Sequence, residues 1–149
     1  MNGQEDLKKQ YQSVLLMGIP MVSSLLLYWG LVQFVVPPKP VAADSIPFLR
    51  LALYVVATTG LVVMLFLKKL FLQKKPEDAL PTLLVRLKIW TIIAFALCEA
   101  PAIYGLVLYF SGGSRVDFYV LGAFSLLLFA VFFPKQDQWR EYAAGATDV

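Results

Sequence analysis

The chain contains no histidine, and its single cysteine is Cys98. Without histidine it holds no histidine-ligated haem, no histidine-bearing zinc or iron site and no Ser-His-Asp triad. One thiol closes no disulfide within the chain and forms no CxxC redox centre. Charge is also scarce: 15% of the 149 residues are charged, whereas globular domains carry roughly 25%. Hydrophobic residues make up 59% of the chain and the mean hydropathy is +0.70. A surface this poor in charge is not covered in water, which excludes an ordinary cytosolic domain and a disordered segment alike. The isoelectric point is near 9.0, but a net charge of +3 is small, so nucleic acid is not an expected partner.

What is abundant is apolar sequence in long runs. Four stand out, at about residues 13–36, 47–67, 87–110 and 118–133. A membrane-spanning helix needs about 20 apolar residues. Three runs reach that length, and the fourth is nearer the lower limit and is closed by Pro134. Period-2 alternation is weak, which argues against barrel strands. The fold expected is all-α: a single four-helix transmembrane domain over residues 1–149 with short tails, embedded in a lipid bilayer. Ser45 and Asp117 are placed to cap the second and fourth helices, with Pro47 in the first turn of the second. The Pro-rich loop 37–45 and the pair Gly112-Gly113 interrupt the helices.

Orientation follows from the basic residues. Lys8, Lys9, Lys68, Lys69, Lys74, Lys75, Arg86, Lys88, Lys135 and Arg140 share one side of such a topology, ten of the 13; Lys39, Arg50 and Arg115 share the other. The positive-inside rule then places both termini and the middle loop in the cytoplasm, in what reads as a bacterial inner membrane. Val41-Ala42-Ala43 resembles a signal-peptide cleavage site, but the apolar run before it is long for a signal peptide and Glu5 and Asp6 do not suit its basic start. The first helix is therefore expected to stay. The middle-loop lysines and arginines fit anionic headgroups or a cytoplasmic partner. The C-terminal KQDQWREYAAG fits an interfacial segment anchored by Trp139 and Tyr142.

Nine of the ten acidic residues fall in tails, loops or helix ends; the exception is Glu99. It lies about 12 residues into the third run, roughly 18 Å along a helix and near the bilayer midplane. A charge at that depth costs at least about 2.5–3.5 kcal/mol, so an intramembrane carboxyl is a candidate for proton or ion handling. The other helices carry Ser23 and Ser24, Thr58 and Thr59, and Ser125 near their midpoints. Alternating helix directions put all of these at one depth, as a polar midplane layer around Glu99. Such residues equally bond their own backbone or hold helices together. The third helix also bears small residues at Ala94, Cys98, Ala102 and Gly105, spaced to share one face and admit a close neighbour. Pro101 removes a backbone donor beside Glu99 and frees the carbonyl of Leu97.

The run Glu99-Ala100-Pro101-Ala102-Ile103-Tyr104-Gly105-Leu106-Val107 resembles the carboxylate-bearing helix of the rotary ATP synthase ring subunits, the c or proteolipid family. Lys74-Lys75-Pro76-Glu77 is similar to that family's polar loop, so the resemblance covers residues 74–109. It implies that Glu99 carries a proton or sodium ion. The family's other helix is glycine-rich, whereas the second run here has the single glycine Gly60. Within the chain, Tyr28-Trp29-Gly30-Leu31-Val32 is similar to Ile103-Tyr104-Gly105-Leu106-Val107, which aligns Ser24 with Glu99. That pattern fits a parallel repeat of a two-helix unit, or a coincidence of apolar sequence.

Three function classes follow. The leading one is a small non-enzymatic subunit or scaffold that joins other membrane subunits or itself through the helix bearing Glu99. The second is a proton- or cation-translocating subunit using Glu99. A lipid-acting enzyme is the third; Asp44, Asp117, Arg115 and Arg50 are the groups near its outer face, and they fit capping and pairing better than catalysis. No catalytic residue, metal site or cofactor is expected.

Overall fold

The computed structural model describes residues 3–35, 45–73 and 80–143. They form five helices: α1 (Gly3–Phe34), α2 (Ile46–Phe71), α3 (Leu80–Phe110), α4 (Arg115–Phe132) and the short α5 (Gln136–Ala143). The first four contain segments long and apolar enough to cross a membrane: Leu7–Phe34, Ile46–Phe71, Pro81–Phe110 and Arg115–Phe132. The chain is an all-α membrane protein, a four-helix bundle with one extra helix at its basic end.

The helices outrun the apolar runs. Helix α1 begins at Gly3, α2 continues through Lys68 and Lys69, and α3 already includes Arg86 and Lys88. An apolar run records the thickness of hydrocarbon, whereas the helix persists wherever residues favour it. Lysine and arginine do so, and their long stems lie along apolar surface while the charge stays wet. Lys39, Asp44, the 41–43 sequence and Lys74, Lys75, Pro76 and Glu77 fall outside the described residues.

Helix α3 is the hub. Half of its spanning segment is buried, 50% against 33% for α4 and 11% each for α1 and α2. It packs against all three, α1 also meets α4, and α2 rests mainly on α3. Helices α1 and α3 run parallel, since their contacts advance together: Gly18 lies on Phe95, Ser24 meets Glu99, and the Val35 carbonyl accepts from the Tyr109 hydroxyl at 2.7 Å. Outward residues such as Leu26, Phe34, Phe48, Phe66 and Val131 are exposed. In water they would drive aggregation; in a bilayer they meet lipid at no cost.

The α3–α4 hairpin is the tightest part, for reasons written in its turn. Gly112 takes φ 95°, a left-handed conformation that a side chain disfavours. The Gly113 N–H reaches the Leu108 carbonyl at 2.8 Å and the Gly112 N–H reaches that of Tyr109 at 3.1 Å, closing α3 in a Schellman motif. Ser114 then caps α4: its hydroxyl accepts from the Val116 N–H at 3.1 Å, while its own N–H donates to Asp117 Oδ2 at 3.2 Å. This corrects the expected cap. Asp117 is the third residue of the helix and closes a capping box, because α4 starts three residues before its apolar run does. Ser45 does occupy the cap position of α2, but its side chain makes no capping bond there. The buried face of α4 is Asp117, Phe118, Leu121, Ser125, Leu128 and Phe129, one stripe facing α3.

At the basic end, α5 folds back over α1 and α3. Trp139 is buried and stands edge-on to Tyr11, with ring centres 5.8 Å apart. The Tyr11 hydroxyl donates to the Pro134 carbonyl at 3.2 Å, fixing the bend between α4 and α5.

Candidate functional site

Glu99 is half-buried in the seam between α1 and α3. Its Oε1 accepts from the Ser24 hydroxyl at 2.5 Å and from the Tyr28 hydroxyl at 2.7 Å. Ser24 and Tyr28 are one helical turn apart and so share a face of α1. Ser24 Oγ also lies 2.6 Å from the Met21 carbonyl. A serine hydroxyl has one proton. Donated to Met21, it leaves Ser24 to accept a proton from the carboxyl; donated to Glu99, it leaves the carboxyl as acceptor. The serine rotor is thereby linked to the state of Glu99. Among the described residues no cation pairs with Glu99, so neutral hydroxyls alone serve it.

The remaining midplane residues do not gather around this carboxyl. Ser23 is exposed and bonds the Ile19 carbonyl of its own helix at 2.8 Å. Thr58 and Thr59 are exposed as well, and the Thr58 hydroxyl returns to the carbonyls of Tyr54 and Val55 at 3.0 and 2.9 Å. Hydroxyls bonded to their own helix, as those of Ser23 and Thr58 are, bear little cost in facing lipid, so equal depth does not bring them inward. Ser125 is fully buried on another seam, where it donates to the Cys98 carbonyl at 2.5 Å and ties α4 to α3. The expected layer is thus two separate contacts, Ser24 with Glu99 and Ser125 with the α3 backbone.

The small-residue face of α3 is buried throughout: Ala94, Cys98, Ala102 and Gly105, with Pro101 beside them. A Cβ on Gly105 would lie 3.0 Å from Phe118 Cα and 3.2 Å from Leu121 Cβ. Only a glycine lets α4 approach this closely, which is why the hairpin packs as it does.

A second polar cluster lies at the opposite end from α5. Asp117 is buried, and its Oδ2 accepts from Arg50 Nη2 at 2.8 Å and Nε at 3.1 Å. The Tyr54 hydroxyl reaches Oδ1 at 3.4 Å. Arg50 and Tyr54 are again one turn apart, and through Asp117 they pin α2 to α4. The partner of Asp117 is therefore Arg50 of another helix, not the neighbouring Arg115. At the same end Gln33 of α1 hydrogen-bonds the Tyr119 hydroxyl of α4. Tyr28 and Tyr54 were the residues that sequence reasoning passed over. Both announce themselves only as polar residues four positions from one already suspected, Ser24 and Arg50.

Among the described residues no three histidine, cysteine, aspartate or glutamate side chains gather where a metal ion could be held. Compared with protein-family models, curated proteins and solved structures, the chain matches none.

Proposed function

We propose that the protein is a small non-enzymatic subunit or scaffold of a membrane assembly, organised on α3, in a bacterial-type inner membrane with both termini cytoplasmic. The observation that carries this reading is the Glu99 site itself. Its carboxyl is taken up by two hydroxyls of α1, as a clamp between two helices, and among the described residues no charged side chain is bonded to it. The thinly buried α1 and α2 leave apolar flanks for neighbouring subunits, a second copy or lipid.

A second reading keeps Glu99 as a carrier of protons or cations, as the proteolipid resemblance implies. The Ser24 hydroxyl favours it, because it can turn between the Met21 carbonyl and Glu99 and so serve the carboxyl with or without its proton.

Glu99→Gln separates the two. The glutamine carbonyl still accepts both hydroxyls, so a clamp keeps its stability within about 1 kcal/mol and co-purifies with the same partners in mild detergent. A translocating site loses proton or sodium flux in proteoliposomes and loses carbodiimide labelling. Flux by the wild-type chain that vanishes in Glu99→Gln overturns the scaffold reading, and so does a strictly monomeric chain that brings no partner through purification.

A further inference from the structure

We infer that the basic end of the bundle holds a site for the headgroup of an anionic phospholipid, between α2, α3, α4 and α5. A cavity of about 70 Å³ opens there, several times the roughly 10–15 Å³ that one water requires. Its lining is rich in donors. Lys68 comes from the last turn of α2, Trp90 from α3, Gln138 and Trp139 from α5. Trp90 and Trp139 are 6% and 2% exposed, and among the described residues neither indole N–H has an acceptor. A buried donor left without an acceptor is costly, and indole and ammonium groups only donate. Thr91 and Gln138 add acceptors to the lining, but no lining residue is anionic, so the cavity suits an acceptor-rich, negatively charged group.

Lys68 supplies the charge. Its Nζ lies 5.7 Å from the centre of the Phe132 ring, and among the described residues it makes no ion pair. The ring holds the ammonium at the rim without neutralising it. Val131, 68% exposed, stands at the same rim, so the mouth opens toward the lipid-facing side. A phosphodiester at this depth, with its acyl chains against the outward apolar faces, satisfies charge, donors and position together. The site is independent of Glu99.

The test uses the full chain with Trp29→Phe, an exposed position, so that Trp90 and Trp139 supply the fluorescence. Vesicles of phosphatidylcholine receive brominated phosphatidylglycerol or brominated phosphatidylcholine as quencher. The expected result is at least about tenfold stronger apparent binding of the anionic lipid, lost in Lys68→Gln and restored in Lys68→Arg. Lys69→Gln, one residue away and outside the cavity, serves as the control for general attraction to a negative surface. Equal losses in Lys68→Gln and Lys69→Gln overturn the site. Equal quenching by the two lipids overturns it as well, and relief of quenching by millimolar inorganic phosphate shows a soluble anion in place of a lipid.

Discussion

Glu99 and Asp117 are both drawn into helix seams, yet the bundle treats them in opposite ways. Asp117 faces a guanidinium, closes a capping box and sits at the end of a helix. Glu99 faces two hydroxyls in mid-helix, with no cation paired to it among the described residues. The difference follows depth. Near a helix terminus, Arg50 holds the aspartate while its own side chain remains 45% exposed, so one partner of the pair stays solvated. In the middle of α3, among the described residues, no cation is within reach, and hydroxyls that can back-bond their own helix are the cheap partners. An ion pair therefore joins α2 to α4, while hydrogen bonds from uncharged hydroxyls join α1 to α3.

The sharpest way to break that contrast is to orphan the buried member of the ion pair. Arg50→Met leaves Asp117 with 9% of its side chain exposed and no counter-charge, and should destabilise the bundle by about 3 kcal/mol. Asp117→Asn keeps an acceptor for the Ser114 N–H and leaves an arginine that reaches headgroups, so it should cost less, about 1 kcal/mol. Reversible unfolding in detergent micelles measures both. If the two changes cost the same, the pair behaves as an exposed one and the distinction by depth is lost.

A smaller effect is expected at Gly105. It faces Phe118, next to Asp117, at the closest approach of α3 and α4. Gly105→Ala adds a Cβ against backbone, which cannot swing aside, and should cost about 1–3 kcal/mol. Gly60→Ala meets nothing within 4 Å and should be neutral or slightly stabilising. Because α4 must retreat in the first variant, the Arg50–Asp117 contact should loosen with it. A double-mutant cycle of Gly105→Ala with Arg50→Met should therefore fall short of additivity.

These positions also show how far a sequence carries. The four membrane-length helices, the buried small-residue face and the place of Glu99 in mid-helix follow from hydropathy and spacing, because each is a property of one helix. Which residues meet Glu99 is a property of two helices, and depth alone leaves the rotation of each helix about its axis undecided. Thr58 and Ser24 are equivalent in type and depth, yet one bonds its own backbone at an exposed position and the other meets the carboxyl. Likewise α1, α3 and α4 begin before their apolar runs and α2 ends after its own, since polar residues outside the hydrocarbon still belong to the same helices. Trp139 illustrates the remaining gap: its aromatic character suggests an interface, but its burial beside Tyr11 depends on a bend at Pro134 that no local pattern specifies.

The finest test lies inside the Glu99 seam, where Ser24 and Tyr28 donate to the same oxygen. Hydrogen bonds between membrane helices average about 0.6 kcal/mol, because separated helices also find partners for their polar groups. Ser24 has such a partner in Met21 whether or not α1 packs on α3. Among the described residues, Glu99 is the acceptor of the Tyr28 hydroxyl. Tyr28→Phe should therefore destabilise by about 0.5–1 kcal/mol, and Ser24→Ala by less. In a Glu99→Leu background the hydroxyl of Tyr28 has lost its acceptor, so Tyr28→Phe should become neutral or stabilising. Unchanged cost of Tyr28→Phe in that background would mean that its hydroxyl acts elsewhere and that α1 is not held to α3 through Glu99.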